Sequence, residues 1–288
     1  MQSNVIKILE WNLNFGSYDS VVPAGFIGEY IKGFDVVILA EVRANNAMIN
    51  VIEAWGYDYI VSDDQGKFSN QIVIMAKKKY KLKRIAGELI STNGELRPDF
   101  LHGIIKVGKK KINLLGVRIK TSGYAERFIQ AKLIRAYISS IEGSIICAGN
   151  FNSGQIRGLE DSDYSDVEVL YKYRSRSKEL SNLRFYNFHL IKDLFGEQFI
   201  LKETMGEDNS WGLSEKEGNL VYGFGKRVKN DLLFYSSDIE GNSSYSWKHV
   251  RQNKQEYLDM ITKNCKRRGN KVEHGYPDHA RLVAELAV

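Results

Sequence analysis

The sequence has few cysteines and prolines, and it lacks a long uninterrupted apolar run. Two cysteines in 288 residues cannot form a disulfide framework, and the separation of Cys147 from Cys265 excludes a metal cluster of the cysteine and histidine type. The longest apolar run, residues 34–40, is interrupted by Asp35 and is far too short to cross a bilayer. No apolar leader follows Met1, so we expect a soluble, cytoplasmic protein without a membrane partner.

Linkers and repeats are also absent from the sequence. Only three prolines occur, and no stretch rich in proline, glycine and serine divides the chain. The length and the hydrophobic content of 43% are sufficient for one large core. We therefore predict a single α/β domain over residues 1–288.

Short apolar strands recur along the chain, with few helical patterns between them. A helix is predicted from about Ser122 to a glycine cap at Gly143, and a second from about Asn45 to Trp55, before Gly56. Strands are predicted at residues 5–11, 36–40, 57–61, 71–76, 101–107, 112–119, 144–148, 231–235 and 280–287. The excess of strands over helices favours two packed, mixed sheets flanked by helices over a doubly wound parallel sheet.

Positive charge is concentrated near the C-terminal end. Residues 248–271 contain eight lysines and arginines and two acidic residues, a local excess equal to the net charge of +6. A polyanion is the natural partner of such a segment, and a solvated helix face is the alternative. We favour contact with nucleic acid, through Lys266, Arg267 and Arg268.

An irregular insertion rich in tyrosine, arginine and lysine is predicted at about 153–230. Basic residues interleaved with aromatic ones, among them Arg174 and Arg176, can follow a phosphate backbone and stack on bases. The same alternation fits a helix or strand whose tyrosines pack on the core. Both interpretations stay open at this point.

The apolar run at residues 144–148 leads directly into Gly149-Asn150-Phe151-Asn152. Alternate residues of a strand point to one face, so the two asparagines are predicted to lie together at the carboxyl edge of a sheet. In such a pair a carboxylate normally accepts the proton of an attacking water, beside a carboxamide that holds a phosphate oxygen. Asn150 cannot accept that proton. The motif predicts a phosphodiesterase-like site without its base.

Three other apolar segments carry polar residues at comparable positions. The first strand ends at Asn12, the second at Glu41, and the C-terminal strand is preceded by Asp278 and His279. Each alone has a simple explanation, since a glutamate after a strand is more often a surface turn and a histidine after Pro-Asp can begin a strand. In this order, with the Asn150 motif between them, they form a specific pattern.

This pattern resembles the endonuclease/exonuclease/phosphatase superfamily over nearly the whole chain. The resemblance includes Ser210-Trp211 and the segment 230–234. It implies a four-layered α/β sandwich, with two mixed β-sheets flanked by helices. It also implies a divalent-metal-dependent phosphoesterase, without specifying the substrate.

The resemblance implies a role for each matching residue. Glu41 would be the principal ligand of Mg²⁺ or Mn²⁺, supported by Asn12, with Asp278 beside the metal. His279 would stabilise charge on the phosphoryl group, and Asp231 would fix its tautomer.

Three positions near the central strands complete the comparison. Asn152 matches the family and would hydrogen-bond the phosphate or the attacking water. Arg118 stands where many members have a histidine, and it can hold a phosphate oxygen but cannot transfer a proton. Asn150 marks either a weakened or non-catalytic member or an introduced substitution. Retention of the other site residues favours the introduced substitution.

The sequence therefore predicts a metal-dependent nuclease that hydrolyses phosphodiester bonds in DNA, or less favourably RNA, and that is weakened or inactivated by Asn150. The alternatives are a small-molecule phosphoesterase and a non-catalytic protein that binds nucleic acid. The basic segment and the insertion favour a polymer.

Overall fold

Apolar residues in the strands build two six-stranded β-sheets, packed face to face in the computed structural model. The structure describes residues 4–13, 24–42, 44, 46–63, 71–87, 89, 97–120, 124–156, 199–201, 213–216, 219–222, 228–255, 277 and 279–288.

The first sheet has the strand order β13-β14-β1-β2-β4-β3. Its strands are β1 (Val5–Asn12), β2 (Val36–Val42), β3 (Tyr57–Val61), β4 (Gln71–Lys77), β13 (Glu240–Ser246) and β14 (Arg281–Ala287). The second sheet has the order β5-β6-β7-β8-β12-β9. Its strands are β5 (Lys83–Arg84), β6 (Asp99–Val107), β7 (Lys110–Arg118), β8 (Ser144–Ile156), β9 (Phe199–Leu201) and β12 (Val228–Ser236). A separate antiparallel pair consists of β10 (Leu213–Lys216) and β11 (Asn219–Tyr222).

Helices cover the outer faces of both sheets. The described helices are α1 (Ala24–Ile31), α2 (Asn46–Ala54), α3 (Tyr124–Ser139) and α4 (Lys248–Gln252), with a 3-10 turn at Lys78–Tyr80. Ile27 of α1 and Ile52 of α2 pack on the first sheet, while Ile134 of α3 packs on the second. The result is the predicted four-layered sandwich of two mixed sheets flanked by helices.

The main core fills the space between the two sheets. It includes Ile8, Ile38, Ile74, Leu114, Ile146 and Leu233, all nearly inaccessible to solvent. Gly116 of β7 lies where the sheets approach closely, since a Cβ atom there would be 2.6 Å from Ile72 Cγ2 and 3.3 Å from Ile38 Cγ2. Close sheet packing therefore explains a glycine in the middle of this buried strand.

Each sheet contains one parallel pair of strands, and these two pairs position the site. In the first sheet β1 runs parallel to β2, with Asn12 opposite Ala40. In the second, β7 runs parallel to β8, with Arg118 opposite Asn150. The carboxyl ends of a parallel pair meet at one sheet edge. Polar residues at those ends are thus gathered at the edge of the sandwich.

All nine predicted strands are present; eight differ by at most three residues at either end, and the strand predicted at 144–148 extends to Ile156. The helix predicted to end at Gly143 stops at Ser139, and Gly143 adopts a positive φ of 89° in the turn before β8. The predicted irregular insertion at about 153–230 contains β9, β10 and β11, and β8 and β12 extend into its two ends. Within the described part of the chain, no helix has the length and apolar character needed to cross a membrane.

Candidate active site

A buried ion pair links the two sheets at this edge. Arg118 Nε donates a hydrogen bond to Glu41 Oε1 at 2.7 Å, and Arg118 Nη1 donates to Asp99 Oδ2 at 2.8 Å. The side chains of Arg118 and Glu41 are 12% and 13% exposed. The guanidinium group therefore bridges a carboxylate of each sheet.

Irregular backbone geometry orients the side chains of two of the predicted site residues. Glu41 has a φ of 55°, and the register between β2 and β4 shifts between Leu39 and Val42. Asn152, after the aromatic residue of its motif, has a φ of 46°. Left-handed backbone is unfavourable for residues with a side chain, and such strain is concentrated at functional sites. The conformation orients the side chains of Glu41 and Asn152, but it is not specific to the site, because Lys81 in the turn after β4 also has a φ of 54°.

The Glu41 carboxylate is kept ionised by its neighbours. Burial acts to raise its pKa, but the charges of Arg118 and His279 and hydrogen bonds from Arg118 and Asn12 outweigh burial, so the pKa lies below its ordinary value. An ionised carboxylate beside an amide is a donor set that hard divalent cations accept.

The oxygen donors fit a weakly held Mg²⁺ or Mn²⁺. Glu41 and Asn12 interact with each other at the ends of adjacent strands. In the described ranges, no group of three or more His, Cys, Asp or Glu residues is arranged to hold a metal. Mg²⁺ is commonly bound by one or two carboxylates and several waters, so a set led by a single carboxylate is compatible with it. Asp278, the third predicted metal residue, lies outside the described residues.

His279 and Asp231 form a buried pair. His279 Nδ1 lies 2.8 Å from Asp231 Oδ2, and the two side chains are 6% and 0% exposed. Trp11 Nε1 donates to the His279 carbonyl oxygen at 3.2 Å, and the Tyr245 hydroxyl donates to the Asp231 carbonyl oxygen. The carboxylate fixes the ring orientation, so Nε2 is the ring nitrogen suited to meet a substrate.

The two asparagines of the β8 motif are in contact, but through the backbone of Asn152 and not through two side chains on one strand face. The backbone N–H of Asn152 donates to Asn150 Oδ1 at 2.8 Å, and Asn152 Nδ2 donates to the Ile119 carbonyl oxygen at 2.7 Å. Buried Arg127 of α3 donates to the Asn152 carbonyl oxygen at 2.6 Å. With its oxygen bound inside the loop, Asn150 has only its amide nitrogen, a donor, as a further polar atom.

Glu10 is a site neighbour that the sequence reasoning missed. It lies on the same strand face as Asn12, is 1% exposed, and neither of its carboxylate oxygens has a hydrogen-bond partner in the described part of the chain. Burial, and secondarily the charge of Asp231, raises the pKa of Glu10 well above its ordinary value. An acidic residue within an apolar strand was the available signal.

Replacement of Glu10 by glutamine is expected to remove part of the pH dependence of stability. Burial favours the protonated form of Glu10 in the fold, whereas in the unfolded chain the carboxyl ionises at a pH of about 4. Its contribution to stability is therefore lost as the pH rises from that value towards the raised pKa. The melting temperature of Glu10→Gln relative to the unmodified protein should increase steadily from pH 5 to pH 8. Exposed Glu53→Gln is the control, and a difference independent of pH would contradict this prediction.

The structure brings together Asn12, Glu41, Arg118, Asn150, Asn152, Asp231 and His279 from the predicted site set. It adds Asp99 and Glu10, which the sequence did not indicate. The predicted nucleic-acid residues Arg174, Arg176, Lys266, Arg267 and Arg268 lie outside the described residues. The phosphate-binding role of Arg118 stays a prediction, and its partners in this structure are the carboxylates of Glu41 and Asp99.

No family model and no curated protein matches the sequence. Solved structures do match over almost the whole chain. One is an endonuclease/exonuclease/phosphatase family protein from Bacteroides thetaiotaomicron, with 13% identity, a TM-score of 0.60, and coverage of 99% of this chain and 98% of that chain. A second is TDP2 from D. rerio, in complex with a single-strand DNA product, with 13% identity, a TM-score of 0.56, and coverage of 99% and 100%.

A third similar structure is the mannosyl-6-phosphatase Bt3783 from Bacteroides thetaiotaomicron, with 12% identity, a TM-score of 0.57, and coverage of 98% of this chain and 100% of that chain. At these identities the likeness concerns the fold. The chain therefore shares its fold with these three proteins, one of them an endonuclease/exonuclease/phosphatase family protein, and this is the fold that the sequence resemblance implied.

Proposed function

We propose that this chain is a metal-dependent phosphodiesterase of the nuclease type, acting on DNA in preference to RNA, with hydrolysis weakened or lost through Asn150. The observation that carries the proposal is the buried His279–Asp231 pair beside an ionised Glu41. A histidine oriented by a carboxylate, next to an oxygen-donor set for a divalent cation, suits stabilisation of a phosphoryl group. Cysteine is scarce in the sequence, and Cys147 is a buried free thiol, so the protein does not resemble a disulfide-dependent secreted domain. This supports a cytoplasmic location.

Each residue has a defined task in this proposal. His279 Nε2 donates a proton or hydrogen bond to a phosphoryl oxygen, while Asp231 holds Nδ1. The Asn150 amide nitrogen donates to a second phosphate oxygen. Glu41 and Asn12 would hold Mg²⁺ or Mn²⁺, which when bound supplies Lewis-acid polarisation of a phosphoryl oxygen.

Water activation is the step that the site lacks. A general base must accept a proton from the attacking water, and a carboxamide does not do so at neutral pH. Since the donor side of the site is retained, we propose that binding of substrate persists while turnover is slow. If turnover were lost completely, the protein would bind nucleic acid without cleaving it, which is the non-catalytic alternative.

Nucleic acid is favoured as substrate by the basic segment at 248–271. TDP2, which has a similar fold, was solved with a single-strand DNA product. The mannosyl-6-phosphatase of similar fold supports the alternative, a small-molecule phosphoesterase. The two alternatives differ in their response to salt, because release of counterions accompanies binding of a polymer and not of a small ester.

Replacing Lys266, Arg267 and Arg268 together with alanine is expected to weaken DNA binding and flatten its salt dependence. Each lost phosphate contact reduces the slope of log affinity against log salt by about one unit. The measurement is fluorescence anisotropy with a labelled single-stranded oligonucleotide at several salt concentrations.

The control removes three exposed lysines around the turn after β4, Lys78, Lys81 and Lys83. Lys78 follows the end of β4 that pairs with the start of β2, away from Glu41. This variant should retain both affinity and slope. If the 266–268 variant also retained them, the basic segment would be a solvated face and the small-molecule alternative would lead.

A further inference from the structure

Arg118 already occupies a cation position against Glu41. Its Nε lies 2.7 Å from Glu41 Oε1 and its Nη1 lies 2.8 Å from Asp99 Oδ2. Asp99 is 3% exposed, and Lys120 Nζ approaches its other oxygen at 3.4 Å. Arg118 is therefore held at two points, and one of them is the carboxylate predicted to bind metal.

Positive charge already surrounds the carboxylates of this cluster, and the charge of His279 also acts on Glu41. Two carboxylates, Glu41 and Asp99, face two cationic side chains, Arg118 and Lys120. A divalent cation brought to Glu41 would meet a carboxylate that is already neutralised, and it would lie close to the guanidinium charge. In a partly buried site this repulsion is only weakly screened.

The geometry indicates which contact of Arg118, the one to Glu41 or the one to Asp99, is lost when a metal ion competes with the guanidinium group. Asp99 is nearly inaccessible, and its bond to Arg118 uses Nη1, a different atom from the Nε that is bonded to Glu41. Glu41, at the carboxyl end of β2, has Asn12 beside it as a second oxygen donor. The Arg118–Glu41 contact is thus the one that a metal ion has to replace.

We propose that Arg118 is an internal competitor of the divalent cation for Glu41. It holds Glu41 in the metal-free protein and releases it on metal binding, while Asp99 keeps the guanidinium at the site. Metal loading then exposes Nε of Arg118 to an anionic ligand, so that the site acquires its anion donor together with its metal. This inference rests on the proposed function in locating the metal at Glu41.

The test is Mn²⁺ affinity, measured by electron paramagnetic resonance of the free ion, without substrate. Arg118→Met removes the competing charge and keeps a side chain of similar length. It is expected to tighten Mn²⁺ binding by roughly 10- to 100-fold, the equivalent of one hydrogen bond to a charged group. Lys120→Met is the matched control, because it removes the same charge from a residue paired with Asp99, and its affinity should change far less.

The outcomes separate the inference from the proposed function. Glu41→Gln should abolish the Mn²⁺ site. Retention of Mn²⁺ affinity in Glu41→Gln would overturn the metal assignment, and the competition with it. Loss of affinity in Glu41→Gln, combined with unchanged or weaker affinity in Arg118→Met, would overturn the competition alone. Equal tightening in Arg118→Met and Lys120→Met would also overturn it, since general electrostatics would then explain the effect.

A measurement on the unmodified protein covers the case in which Arg118→Met does not fold. The Nε–H proton of Arg118 is hydrogen-bonded to Glu41, so its NMR resonance should shift as Mg²⁺ is added. The midpoint of this shift should equal the midpoint of metal binding. The resonance is assigned by its disappearance in Arg118→Lys. A resonance that stays in place while the metal site saturates would refute the competition.

Discussion

Replacing Asn150 with aspartate is expected to raise phosphodiester hydrolysis by at least roughly 100-fold, the lower part of the range for a positioned general base. An aspartate would keep the hydrogen bond from the Asn152 backbone N–H with one oxygen. Its second oxygen would take the place of the amide nitrogen and could accept a proton from water. The measurement is the initial rate on single-stranded and duplex DNA, and on a small phosphodiester, with Mg²⁺ or Mn²⁺.

Asn152→Asp is the control for this prediction, because it adds the same charge two residues away. Asn152 donates from Nδ2 to the Ile119 carbonyl oxygen, and an aspartate would lose that bond. No gain in rate is expected. Equal rates for the unmodified protein and Asn150→Asp would show that position 150 is not the position of the general base. A gain on the small diester alone would favour the small-molecule alternative.

In the Asn150→Asp background, Glu41→Ala is expected to abolish Mg²⁺-dependent hydrolysis. Glu41 is the only carboxylate among the described candidate metal residues, and its pKa is held low by surrounding positive charge despite burial. The fold should persist, because Arg118 retains its bond to Asp99. Rates with and without Mg²⁺, together with circular dichroism, provide the measurement.

Exposed Glu53→Ala serves as the control for loss of an acidic residue, and its rate should be unchanged. If the Glu41→Ala variant still cleaved with the same metal requirement, the ligand would lie elsewhere in the chain. Glu41 would then act mainly as the structural partner of Arg118.

The strands that were predicted from sequence are those whose apolar pattern forms the core. β13 was missed because Glu240–Ser246 is mostly glycine, serine and asparagine, and its position depends on pairing with β14. The helix α1 was missed because two of its eight residues are glycines, which have low helix propensity. In both elements tertiary contacts, which a local pattern cannot represent, determine the structure.

For the site, the sequence indicated residues at strand ends, and the resemblance implied the His279–Asp231 interaction, but the ion pair of Arg118 with Glu41 was missed. The alternation predicted that the side chains of Asn150 and Asn152 share one strand face, whereas the left-handed φ of Asn152 interrupts that alternation, and the contact between the two residues is made by the Asn152 backbone N–H. The ion pair of Arg118 with Glu41 joins residues 77 positions apart, on different sheets. Asp99 was not predicted, because packing determines which carboxyl groups are buried, whereas Glu10 had a local signal in its position within an apolar strand.

Completion of the site is tied to the order of folding. β14 is an inner strand of the first sheet, between β13 and β1, and the Trp11–His279 hydrogen bond spans 268 residues. Contacts of such long sequence separation carry the largest loop-closure cost and form slowly. His279 directly precedes β14, so its bond to Asp231 requires the C-terminal strand to be in place beside β1. A chain in which β14 is not docked can carry Glu41 and Arg118 in their strands, but it lacks the His279–Asp231 pair.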